Sequence, residues 1–255
     1  RVGLVALGYY TQADKWSKMG VMSLSQVLTS SFLPVLSKDQ DDPVRFAAAT
    51  ARMNRLTAYL LFPAMGFLAV MATPIFHALF GTKWDAAIAL FQLLLLRGVF
   101  TVLCQLYNNY ILALGRSRLL VITEALRDGV ALAAIVATLP VIALSGPDDV
   151  VEGVRIFLWG QVGATFVAWA ATLIMTVRVV GSHASCRGFL RDLAPYAVMT
   201  LPLMAAMWGL SQVIANVWFL MAAQIAVGVG LYMGANALLG SRIQADAIAY
   251  LRGRL

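Results

Sequence analysis

Arg97 stands in LLLLRGVF, Leu93 to Phe100, in the middle of an apolar run. A guanidinium is a planar, always charged fork that grips phosphate oxygens or a carboxylate. At about 100° per residue, Thr101, Cys104, Gln105 and Asn108 fall on its side of a helix, with Asn109 at the edge. Hydroxyls, amides and one cation in a stripe make a surface for a hydrated anion. The opposite side carries Leu95, Val99, Val102, Leu106 and Tyr110 and could face lipid.

A second stripe precedes it. Gln12, Lys15, Met19, Ser23, Gln26 and Ser30 converge on one helical face, away from Val21, Leu28 and Phe32. Two polar stripes suggest a shared hydrated interior, against the alternative of hydrogen bonds between helices in a dry bundle. A third group, Glu124, Arg127 and Asp128, has the i, i+3, i+4 spacing of one face. It reads as an interfacial ion-pair cluster, with a gate or ion-coupling group as the sharper alternative.

Enzymatic signatures are absent. No phosphate loop, HExxH helix, zinc spacing or nucleophile elbow occurs, so neither catalysis nor a metal or cofactor is expected. His77 and His183 read as interfacial, and Cys104 and Cys186 form no disulfide framework. Gly230 and Gly234, inside GVGLYMG, have the spacing of close helix packing.

The elements that carry these stripes must fold in lipid. Of the 255 residues 61% are hydrophobic and 12% charged, and mean hydropathy is +0.81. Soluble domains sit near half apolar and a quarter charged. About 20 apolar residues span a bilayer core, and seven blocks qualify, roughly 19–37, 56–80, 86–114, 119–144, 154–177, 193–213 and 217–239. The expected fold is an all-α, polytopic transmembrane bundle. Two parts are expected, a lobe of five spans over 1–180 and a terminal hairpin with a tail over 181–255. Asp42-Pro43 reads as the cap and first residue of a helix leading into the second span. Prolines such as Pro63, Pro140, Pro195 and Pro202 punctuate the spans as ordinary membrane-helix prolines or as hinges.

The net charge of +7 is a matter of sides, not of nucleic acid. Lys38, Arg45, Arg52, Arg55, Arg116, Arg118, Arg178, Arg187, Arg191, Arg242, Arg252 and Arg254 fall on one side of alternating spans. Lys83 and Arg155 fall on the other. The basic side, with the C-terminus, is therefore expected in the cytoplasm, against anionic lipid. Seven crossings start Arg1 outside without a signal-peptide layout, so upstream spans are expected to be missing.

Several phrases carry a resemblance: LGYYTQADKW (Leu7–Trp16), FLPVLSKDQDD (Phe32–Asp42), LFP, FGTKW (Phe80–Trp84) and LALGRSR (Leu112–Arg118). Together they resemble the C-terminal half of bacterial polysaccharide flippases, the lipopolysaccharide biosynthesis branch of the multidrug/oligosaccharidyl-lipid/polysaccharide exporter superfamily. The resemblance implies two helical lobes around a cavity open alternately to each side of the inner membrane. It implies a lipid-linked oligosaccharide on an undecaprenyl-type pyrophosphate as substrate and a missing N-terminal lobe of the same chain. Alternatives are a drug or peptidoglycan-precursor exporter of the same superfamily, or a membrane-embedded polysaccharide polymerase or ligase.

Arg97 lies about 20 Å along its helix from Trp84, near mid-membrane. A charge there costs about 2.5–3.5 kcal/mol on insertion scales, so a function is expected of it. Contact with the pyrophosphate is expected, helped by Thr101, Gln105, Asn108 and, from the other stripe, Gln12, Lys15 and Gln26. The structural alternative pairs Arg97 with an acid of the missing lobe, or with Glu124 or Asp128.

Overall fold

The computed structural model describes residues 4–38, 40–144, 150–181 and 183–238, the side chains of 27–35, 38, 141–144 and 150 excepted. Its helices are α1 (Leu4–Lys38), α2 (Pro43–Val70), α3 (Ala72–Phe80), α4 (Asp85–Ala113), α5 (Ser117–Leu144), α6 (Val150–Val180), α7 (Cys186–Ser211) and α8 (Val217–Leu238). A 3-10 turn, Thr82–Trp84, leads into α4. No strand occurs among the described residues.

Seven of these helices are long, and five are apolar enough over the described residues to cross a membrane: Pro43–Val70, Thr82–Ala113, Val151–Val180, Cys186–Ser211 and Val217–Leu238. Every 18-residue window over the described side chains of α5, residues 117–140, contains Glu124, Arg127 and Asp128. In α1, much of the greasy second half lies outside the described side chains. The chain is an all-α membrane bundle.

Local chemistry sets the boundaries. Asp42 accepts from the N–H groups of Val44 (3.0 Å) and Arg45 (3.1 Å), and Pro43 takes the first helical position, where no N–H is needed. Helix α2 therefore starts at Pro43, well before the expected apolar block. That block is also two helices, broken at Met71. Pro74 lacks an N–H to continue α2 but is tolerated in the first turn of α3. Near the break, Gln92 Nε2 donates to the Ala69 carbonyl at 2.8 Å. The turns at Gly81 (φ 77°) and Gly115 (φ 68°) use the left-handed backbone that glycine adopts without strain.

Alternating directions gather residues 40–42, 114–116, 181 and 183–185 at one end of the bundle, with most of the described arginines. The other end holds α3, the 3-10 turn, residues 212–216 and an aromatic cluster. There Tyr9 meets Trp84 edge-on at 5.5 Å and Trp16 meets Phe80 at 5.9 Å. Residues 145–149, whose SGPDD sequence reads as a turn, and the tail from 239 onward lie outside the described residues.

Helix α4 is the axis of the bundle. It runs parallel to α1, packs on α6 at its opposite side, and meets α2 as well. The face expected to see lipid is thus buried: Leu95 is 1% exposed, Val102 2% and Tyr110 0%. The hydropathy of that face is equally suited to helix packing, and neighbours take it. Tyr110 even carries its hydroxyl inside, donating to Asn54 Oδ1 at 3.2 Å. Helix α5 lies against α6.

The terminal pair docks on α2 through α7. Pro63 leaves the Tyr59 carbonyl without its helical donor, and the Tyr232 hydroxyl of α8 supplies one at 2.7 Å. Arg55 pairs with Asp192 at 2.9 Å between α2 and α7. The small-residue contact expected at Gly230 and Gly234 is not made, since both face open space. Gly228 makes it instead, against Met207 and Phe67, because it lies on the inner face of α8.

Candidate functional site

Between α1, α4 and α5 lies a cavity of about 610 Å³. From α4 it is lined by Leu94, Arg97, Gly98, Thr101, Gln105, Asn108 and Asn109. Helix α1 contributes Asp14, Ser17, Lys18, Val21, Met22, Ser25 and Gln26, and α5 contributes Glu124. One helix turn carries i and i+4 on the same side, so the α4 stripe of Arg97, Thr101, Gln105 and Asn108 arrives as a continuous polar wall. Cys104 does not join it: the thiol is buried, 2% exposed, away from the lining.

The second stripe is placed differently. Lys15 is exposed and Gln12 half-buried, and neither lines the cavity, whereas Gln26 reaches its rim. Ser23 bonds back to the Met19 carbonyl at 2.7 Å, and the side chain of Ser30 is outside the description. Helix α1 carries polar residues on two faces. The one turned to α4 runs Asp14, Ser17, Lys18 and Ser25, which the sequence reading passed over. Its signal was the i, i+4 spacing of Asp14 and Lys18, an ion pair of 2.6 Å.

The two walls touch at defined points. Ser25 Oγ donates to Gln105 Oε1 across the cavity. A Cβ at Gly98 would overlap Val21 Cγ2, so α1 approaches α4 most closely beside Arg97. At the arginine-rich end, Asn108 Nδ2 donates to Glu124 Oε1 at 2.6 Å, and Asn108 Oδ1 accepts from Thr123 at 2.9 Å. Glu124 Oε2 pairs with Arg127 at 2.5 Å, and Arg127 reaches Asp128 at 3.2 Å. Arg127 and Asp128 do not line the cavity, but Glu124 does. The ion-pair cluster is present, and its first member belongs to the cavity.

Arg97 is different. Its carbonyl accepts from Thr101 Oγ1 at 3.0 Å, but among the described residues its guanidinium makes no hydrogen bond or ion pair. Glu124 and Asp128, the expected structural partners, are taken by Arg127. A half-buried cation with five free donors points into a polar cavity.

A larger groove, about 1380 Å³, lies on the far side of α4 among α2, α3, α7 and α8. Its walls are Leu, Phe, Met, Val and Ala side chains with few polar groups. Among the described residues, an arginine without an ion-pair partner lines the α1–α4–α5 cavity, and none lines this groove.

Residues 1–89 match the family described as polysaccharide biosynthesis protein. The match takes in the α1 wall of the cavity and ends before Arg97. Over 118 residues, 46% of this chain, it is 26% identical to the teichuronic acid biosynthesis protein TuaB of Bacillus subtilis (strain 168). It is 25% identical over 118 residues to an uncharacterized membrane protein in the cps region of Klebsiella pneumoniae. The matched segment spans 24% of the length of each relative. No solved structure matches the chain.

Proposed function

We propose that this chain is part of a transporter that carries a lipid-linked oligosaccharide across the bacterial inner membrane by alternating access. The single observation that carries the reading is Arg97, a guanidinium with no hydrogen-bond or ion-pair partner among the described residues, inside a cavity within an apolar bundle. A charge is costly there and persists where it serves a ligand or an ion pathway. Diphosphate oxygens match the guanidinium fork, and a family of polysaccharide biosynthesis supplies the context. Thr101, Gln105 and Asn108 assist from α4 and Gln26 from the rim.

The work is transport and not bond chemistry: beside the Asp14–Lys18 pair and the Glu124 carboxylate, the cavity offers Arg97, amides and hydroxyls to a solute that enters and leaves. Its third wall is α5 alone, and a second lobe of the same protein closes the remaining side. The Glu124–Arg127–Asp128 cluster gates the arginine-rich end, which faces the cytoplasm together with the C-terminus.

Deletion in a strain without a paralogue tests the reading. Surface polysaccharide should be lost while lipid-linked repeat units accumulate in the cytoplasmic leaflet. Accumulation in the outer leaflet would instead indicate a polymerase or ligase, and unchanged surface polysaccharide would refute the proposal.

A further inference from the structure

The cavity has two chemically distinct halves, divided at Arg97. Toward the aromatic end lie Leu94, Ser17 and the self-satisfied Asp14–Lys18 pair, with Val21 packed on Gly98 at the level of Arg97. Toward the arginine-rich end lie Gln105, Asn108 and Glu124, all from the lining and all hydrogen-bonding groups. We infer that this second half is a sugar-binding subsite, in which Glu124 and the α4 amides read the hydroxyls of the glycan and select neutral over acidic sugars. The inference rests on the proposal that Arg97 holds the diphosphate.

Spacing supports it. From Arg97 to Gln105 is about 12 Å along the helix and to Asn108 about 16 Å. The arginine side chain spans part of that, leaving room for roughly one or two sugar rings between the diphosphate and the amides. The chemistry fits the same ligand. Amide groups both donate and accept, and a carboxylate accepts strongly from hydroxyls. The subsite is also preset: Glu124 Oε1 receives Asn108 Nδ2 at 2.6 Å, and Asn108 is anchored by Thr123 at 2.9 Å. The Glu124 carboxylate is still 37% exposed on the cavity side. With Arg127 shared between Glu124 and Asp128, the cluster sums to one negative charge. An acidic sugar at this level meets a like charge in a partly desolvated site.

The test is binding to the purified full-length protein, measured by native mass spectrometry in detergent. Three probes are a bare polyprenyl pyrophosphate, the same lipid bearing N-acetylglucosamine, and the same lipid bearing glucuronic acid. Wild-type protein should bind the neutral-sugar lipid about ten-fold more tightly than the acidic one. Glu124→Gln keeps an acceptor for Asn108 but not the charge, and should shrink that ratio to about two-fold or less. Equal wild-type affinity for both glycolipids, a comparison that needs no variant, would overturn the inference, as would an unaltered ratio in Glu124→Gln. Arg97→Ala reports separately on the diphosphate reading and should weaken all three probes alike. If the bare lipid binds through Arg97 without sugar discrimination, only the subsite falls. If none of the probes binds, the diphosphate reading falls and the subsite with it.

Discussion

Arg97 can be stabilising or functional, and its surroundings separate the two. A structural arginine leaves an uncompensated partner behind when removed, which costs about 3–5 kcal/mol for a buried pair. No such partner exists for Arg97 among the described residues. Arg97→Ala should therefore insert and fold at least as well as wild type, with no fall in Tm in detergent. The same variant should lose diphosphate-lipid affinity by roughly 10- to 100-fold, the range for hydrogen bonds to a charged group. Arg97→Lys keeps the charge without the fork and should fall between. A fall of several degrees in Tm for Arg97→Ala would return the residue to a structural role.

Among the elements, the tightest joint is α1 on α4 at Gly98. An added methyl meets Val21 Cγ2, a β-branched side chain with little rotamer freedom. Gly98→Ala should cost about 1–3 kcal/mol by overpacking and push α1 away beside Arg97. Val21→Ala in the same protein should recover most of that loss, read as Tm by differential scanning fluorimetry. Independent, additive losses would mean that the two residues are not in contact. The same joint shows what the sequence could reveal. Hydropathy exposes seven apolar blocks because lipid demands them, and α4's stripe is legible because its polar residues share one face. Which face of α1 meets it was not legible, since α1 is polar on two sides and only packing against Gly98 chooses between them. Likewise, nothing in the apolar face of α4 distinguishes a lipid boundary from α2 and α6. The role of Tyr232 was hidden too, because a carbonyl freed by Pro63 finds its donor on a helix far along the chain.

Over the whole molecule, the arginines gathered at one end predict orientation. Asp148→Cys and Ser185→Cys, each in a background without Cys104 and Cys186, should respond oppositely to a membrane-impermeant thiol reagent in intact cells. Labelling of the first alone fits a cytoplasmic arginine-rich end; labelling of the second alone would invert the topology and the direction of transport with it. The most direct measurement of the central claim is translocation itself. The full-length protein, reconstituted into liposomes, is given a lipid-linked oligosaccharide in one leaflet, and its appearance in the other is read by an impermeant sugar-modifying enzyme. Wild-type protein should move the lipid well above protein-free liposomes, and Arg97→Ala, at equal protein content, should bring the rate close to that background. Wild-type translocation no faster than protein-free liposomes, or an Arg97→Ala rate equal to wild type, would contradict the account.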